Sequence, residues 1–232
     1  MCTSFVDRRD ELIIAMNFDN NNWKFNLNIN NPNIFVIEVD IGHGKYPSFG
    51  INSQRTFVNN LFVDSNGKGL YKRKSKTRTI TSYLVDDILK ENILIKNLDN
   101  YLDTTEIVNG PNLSTHNLVV DKNRNIWIIE PGRGKFKNNI NDSPYYVMTN
   151  FSVIDFNAGK KYEDNGFDRY KEVENNLRKV KKLSVDNAFK ILEKVKQDGE
   201  WKTDFSMVYS KNENKVFYCF NSKFNEIFEY KF

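Results

Sequence analysis

Short strand-like runs set off by turn residues occupy most of the chain, and only three stretches carry a helical pattern. Trp23-Lys24-Phe25-Asn26-Leu27-Asn28-Ile29 alternates apolar and polar residues, the period of a strand with one buried face. Residues 117–121 and 126–130 are apolar runs flanking Lys122-Asn123-Arg124-Asn125 and read as a hairpin that Pro131-Gly132 ends. Residues 2–7 and 11–18 around Arg8-Arg9-Asp10 read as a second hairpin, and residues 205–209 and 216–220 around Lys211-Asn212-Glu213-Asn214 as a third. Further strands are expected at 34–39, 57–63, 145–150 and 226–230, with Gly42-His43-Gly44 as a turn. Helices are predicted at 82–92, capped by Thr81 or Ser82, at 166–179, and at 185–197, with Ser184 as N-cap and Gly199 just past the end. Strand blocks separated by helix blocks imply an α+β protein, two antiparallel sheets with helices outside. There is no internal repeat and no linker, so residues 1–232 are expected to form one domain.

Composition matters mainly for what it removes. Aromatic residues make up 14% of the chain, which argues against disorder. With two cysteines (Cys2 and Cys219) and two histidines (His43 and His116), a disulfide scaffold, a four-cysteine zinc site and a His-rich metal centre are all excluded. A Cys–His enzyme would have to take one of those two histidines as its base. Thirty-four basic and 30 acidic residues leave a net charge of +4, only mildly basic. The one dense cluster, Lys72-Arg73-Lys74-Ser75-Lys76-Thr77-Arg78, has no aromatic stacking platform beside it. It reads as a solvated loop or edge strand, and no nucleic-acid partner is expected. The first ten residues are charged too early for a signal peptide, and no run approaches the ~18 apolar residues of a membrane helix, so a cytoplasmic address and no membrane partner are expected.

Cys2 is the informative residue. Methionine aminopeptidase removes Met1 when the next side chain is small, and cysteine qualifies. Cys2 would then carry a thiol and a free α-amine, and an α-amine titrates near ~7.7–8.0, low enough to act as a general base at neutral pH. Nucleophile and base on one residue is the logic of N-terminal nucleophile enzymes. Asp19 lies 17 residues on, across the proposed first hairpin, where a carboxylate can hold and orient the amine.

The ordered motifs resemble the choloylglycine hydrolase family of N-terminal cysteine hydrolases, which includes conjugated bile salt hydrolases and penicillin V acylases. The resemblance runs through Met1-Cys2-Thr3, Met16-Asn17-Phe18-Asp19, Tyr46-Pro47-Ser48-Phe49 with Gly50-Ile51-Asn52, and His116, Asp121 and Glu130 around Trp127. It continues through Val147-Met148-Thr149-Asn150, Asp168-Arg169-Tyr170 and Thr203-Asp204-Phe205-Ser206, covering nearly the whole chain in order. It implies the αββα four-layer sandwich of the N-terminal nucleophile hydrolases and no metal or organic cofactor.

By the same resemblance Cys2 is the nucleophile, Asp19 orients its amine, Asn150 donates to the oxyanion and Arg169 supports the thiolate. A backbone N–H at Phe62 is the second oxyanion donor, or at Asn60 if the alignment slips by two residues. Histidine plays no catalytic part, and Cys219, mid-strand, is a packing residue. The implied reaction is hydrolysis of a linear N-acyl amide: a bile salt, a penicillin V, an N-acyl amino acid or an acyl homoserine lactone. The alternatives are an acyltransferase of the same fold and a catalytically idle member acting as a binding protein. The expected partner is that small-molecule substrate, in a homo-oligomer. The chain departs from the family in carrying Met16 where the family has Arg, in following Asn150 with Phe151-Ser152, and in being shorter.

Overall fold

The computed structural model describes residues 1–42, 44–139 and 141–232, so His43, one of the two possible histidine bases, lies outside the described residues. Strands β1 (Thr3–Asp7) and β2 (Ile13–Asn20) make the first expected hairpin, with Phe5 facing Ala15 and Thr3 facing Asn17. Then come β3 (Lys24–Asn28), β4 (Ile34–Asp40), β5 (Lys45–Asn52), β6 (Phe57–Asn59) and β7 (Leu61–Phe62). β8 (Arg78–Ile80) runs straight into α1 (Thr81–Leu89), and α2 (Leu98–Thr104) and β9 (Glu106–Val108) follow. β10 (Thr115–Val120) and β11 (Ile126–Glu130) form the second expected hairpin, which does not end at Pro131-Gly132 but turns there into β12 (Gly134–Asn138). The chain continues through β13 (Tyr145–Met148), α3 (Val153–Asn157), α4 (Phe167–Lys179), α5 (Val185–Lys194), β14 (Lys202–Ser210), β15 (Lys215–Phe220) and β16 (Phe228–Lys231).

Two helix boundaries differ from the sequence expectation. Helix α1 is capped by neither Thr81 nor Ser82. Because β8 enters it directly, its N-cap is Ile80, and Thr81 instead shares a 2.7 Å hydrogen bond with the Thr115 hydroxyl of β10. It stops at Leu89, with Glu91 in the left-handed region at φ 59°. Ser184 does cap α5, its hydroxyl accepting from Asn187 N at 3.2 Å, but the helix ends at Lys194. Gly199 is therefore not its terminal glycine. At φ 86° it opens a separate turn, because Gln197 has left the helix to exchange hydrogen bonds with Thr203.

The chain divides into two compact units. The first comprises Met1–Asn22, Asn139–Phe151 and Lys161–Phe232 and holds an antiparallel sheet in the order β13-β1-β2-β14-β15-β16. Helices α4 and α5 cover one face of it. Phe5, Ala15, Val147, Val208 and Cys219 meet Val173, Leu177, Phe189 and Leu192 in a core that removes apolar surface from water. On the otherwise polar α4, Arg169, Val173 and Leu177 form one buried stripe at four-residue spacing. Arg169 is thus a core-facing residue of this helix.

The second unit comprises Trp23–Asn138 and Ser152–Lys160. Its antiparallel sheet runs β12-β11-β10-β6-β5-β4-β3, with β7 also pairing β10. Leu84, Val85, Ile88 and Leu89 of α1 pack on Val58, Val119, Trp127 and Ile129. The short strands β8 and β9 pair in parallel, a pairing with no sequence signal. The basic cluster is exposed here, with Lys72 and Arg78 on Glu106 and Lys74 on Asp87, the arrangement of a solvated segment. No described helix is long and apolar enough to cross a membrane.

Candidate active site

Strand pairing brings the start of the chain to the end of β2, and β13 and α4 close around it. Cys2, Asp19, Asn150 and Arg169 are 5%, 2%, 3% and 5% exposed, so every polar contact among them forms away from bulk water. Cys2 N donates to Asn150 Oδ1 at 3.0 Å, and Arg169 Nη2 donates to the same oxygen at 2.9 Å. Two donors on one oxygen fix the sense of the Asn150 amide, so its Nδ2 is the end that can donate to a reacting group. Arg169 Nη1 donates to Cys2 O at 2.8 Å and to Thr3 Oγ1 at 2.6 Å, and lies 3.5 Å from Asp19 Oδ2. The Cys2 thiol makes one weak contact, to Asp19 O at 3.8 Å. The terminal amine, carried here by Met1, donates to the same carbonyl at 3.1 Å.

Burial sets the electrostatics. It pushes the Cys2 thiol above its ordinary range, against the pull of the neighbouring amine. It also lowers the terminal amine, so an amine held here is neutral over more of the physiological range than a solvated one. Burial raises the Asp19 carboxyl to about 6, although Thr203, Arg169, the amine and Gln197 all favour its ionised form. Both shifts favour the uncharged form of their group, the state from which an amine could take a proton from a neighbouring thiol.

The chain next to Asn150 is tightly held. Asn150 N donates to Asn165 O at 3.1 Å. The following residue, Phe151, is fully buried in a ring cluster with Tyr162, Phe167 and Tyr170, at 4.9, 5.5 and 5.2 Å between centroids. Asn17 ties β2 to α5 by donating to Leu192 O at 2.8 Å, while the Ser206 hydroxyl donates to its Oδ1.

Four of the five expected site residues therefore meet in the first unit. Phe62 belongs to the second, paired with Thr115 and with its ring 5.7 Å from that of Trp23. Nearby Asn60 has its backbone N–H donating to Ser48 O at 2.7 Å. His116, fully buried, lies in the second unit with Nδ1 3.1 Å from Glu130 Oε1. Glu130 also accepts from Ser152 Oγ and from Val153 N, so the pair anchors the start of α3. Cys219 lies in the first unit's core, its thiol pushed up to about 11 by burial, as a packing residue should be. Met16 is fully buried, facing Ser4 on one side and Met207 on the other. Among the described residues, no three His, Cys, Asp or Glu side chains converge as metal ligands.

Sequence reasoning gave no role to Thr3, Gly166, Gln197 or Thr203. Gly166 precedes α4 at φ 77°, and a Cβ there would stand 2.4 Å from Arg169 Nη2 and 2.9 Å from its Cζ. A flexible side chain could retreat, but this guanidinium is held by Cys2, Thr3 and Asn150. Gly166→Ala is expected to destabilise the fold by about 1–3 kcal/mol through backbone strain and a displaced guanidinium, measured by urea unfolding. Native-like stability would mean that the guanidinium has room to move. A glycine three residues before a buried arginine was the available signal.

No family model and no curated protein matches the sequence. Solved structures do match. A cysteine-to-alanine variant of conjugated bile acid hydrolase from Clostridium perfringens superimposes with a TM-score of 0.69 at 14% identity, covering 99% of this chain and 92% of that one. Penicillin V acylase from Agrobacterium tumefaciens gives 0.66 at 13% identity, covering 94% and 83%. The Caenorhabditis elegans ortholog of N-acylethanolamine-hydrolyzing acid amidase gives 0.61 at 14%, covering 89% and 92%. At such low identity the likeness speaks for the fold. This chain has the α+β fold of the choloylglycine-hydrolase-like N-terminal nucleophile hydrolases.

Proposed function

We propose that the protein is an N-terminal cysteine amidase that cleaves the C–N bond of a linear N-acyl amide. The observation that carries the reading is the buried convergence of Cys2 N and Arg169 on Asn150 Oδ1, with Asp19 against Arg169. That arrangement gives a cysteine main chain a fixed seat beside an oriented amide donor and a carboxylate. The same fold in three amide hydrolases supports it.

After removal of Met1 the Cys2 nitrogen is the α-amine. It takes the thiol proton as Sγ attacks the acyl carbonyl carbon. The oxyanion is met by Asn150 Nδ2, a donor of a kind typically worth about 10²–10³ in rate. The C–N bond then breaks, the leaving amine takes the proton, and the acyl group stays on Sγ as a thioester. Water, deprotonated by the same amine, releases the acid and restores the thiol. The substrate is a small molecule.

A second reading, a binding protein that has lost turnover, is favoured by Met16, which stands where the resemblance expects arginine. One experiment separates the two. The chain as expressed should lack Met1 by intact mass, take up one equivalent of iodoacetamide at Cys2 and none at Cys219, and turn over at least one member of a panel of taurocholate-type, penicillin V and N-acyl amino acid amides. Binding of a panel member with an inert Cys2 would favour the second reading.

A further inference from the structure

Asp19 is held by more than its neighbour Arg169. Its Oδ1 accepts the Thr203 hydroxyl at 2.5 Å, and its Oδ2 accepts Gln197 Nε2. A hydroxyl has one proton to give. The Thr203 oxygen already accepts Gln197 N at 2.8 Å, which turns that proton toward Asp19, and Thr203 N donates back to Gln197 O at 2.9 Å. Gln197 thus acts on both carboxylate oxygens, directly on one and through Thr203 on the other. Its Nε2 also donates to Met1 O at 3.2 Å, so it spans Asp19 and the peptide bond whose removal frees the Cys2 amine. It lies beyond the end of α5, where it neither caps a helix nor packs in the core.

We propose that Gln197 is a positioning residue that holds the Asp19 carboxylate, through its own amide and through Thr203, in the orientation the Cys2 α-amine requires. This rests on the amidase reading. The charged or titratable groups that face Asp19 are Arg169 from α4, the terminal amine and the Cys2 thiol. Gln197 and Thr203 are its neutral donors. Both favour the ionised carboxylate against the burial that raises it to about 6, so removing either should let Asp19 protonate at higher pH.

The test compares the full-length native chain, as expressed, with Gln197→Met and Thr203→Val. The readouts are the pH profile of Cys2 alkylation by iodoacetamide and the pH dependence of urea unfolding. In the native chain alkylation should fall along an acid limb near pH 6. In both variants that limb should move up by about half to one pH unit. An unmoved limb overturns the proposal, whatever happens to melting temperature. If native Cys2 is inert at every pH, the amidase reading fails, and unfolding decides the hold on Asp19. A carboxyl raised in the folded state makes stability grow as pH falls, here from about 6 toward 4. The upper edge of that window should move up in Gln197→Met while the lower edge, set by the unfolded chain, stays in place, and an identical window overturns the role of Gln197.

Discussion

Cys2→Ala should abolish amide turnover, by about 10⁴-fold or more, while leaving the fold nearly as stable as before. The two effects separate because the contacts of Cys2 are divided between main chain and side chain. Its N–H meets Asn150 and its carbonyl meets Arg169, and both contacts survive in alanine. The thiol contributes only the 3.8 Å approach to Asp19 O and the volume of one buried sulfur atom. Urea unfolding should therefore change by about 1–2 kcal/mol at most, as for a small buried truncation. Cys219 offers no substitute nucleophile: it is fully buried, and its thiol is held high by that burial. Turnover in Cys2→Ala within tenfold of native would place the chemistry on another residue.

How much of this site could be read from the chain depends on the range of each interaction. The first hairpin was legible because apolar residues flank the charged turn Arg8-Arg9-Asp10, and the observed register does bring Asp19 back to Cys2. Ser184 was legible because capping is local. Asn150 and Arg169 carry no local signal for a site, and the ordered resemblance alone singled them out. For Arg169 a physical cue did exist: four-residue spacing to Val173 and Leu177 puts it on the buried stripe of α4 and not on a solvated face. Gln197 was silent, and Thr203 stood only as the first residue of a resembling motif with no role attached, because their bonds to Asp19 span 178 and 184 positions. Strands β8 and β9, three residues each, are too short to show a period, and their parallel pairing is purely tertiary.

Arg169→Met should be the most destabilising single change at the site, by about 3–5 kcal/mol at pH 8. Methionine keeps much of the side-chain volume beside Val173, so lost packing is a minor part. The larger part is what remains behind: a buried Asp19 carboxylate, the Cys2 carbonyl and Asn150 Oδ1, each deprived of a donor. The pH dependence identifies the carboxylate's share. Asp19 already sits near 6 with Arg169 in place, well above the value of an unfolded chain, so in the native protein it weakens stability above that pH and less so below it. Without the guanidinium its carboxyl rises further, and the penalty for keeping it ionised reaches a fully buried site. The loss in Arg169→Met should therefore shrink as the pH is lowered from 8 toward 5, where Asp19 is protonated and needs no counter-charge. Adding Asp19→Asn to Arg169→Met should restore part of the stability at pH 8 and flatten the pH dependence, the coupling expected of two groups in one network. A loss below about 1 kcal/mol, equal at pH 5 and pH 8, would mean that Arg169 carries packing and no electrostatic burden.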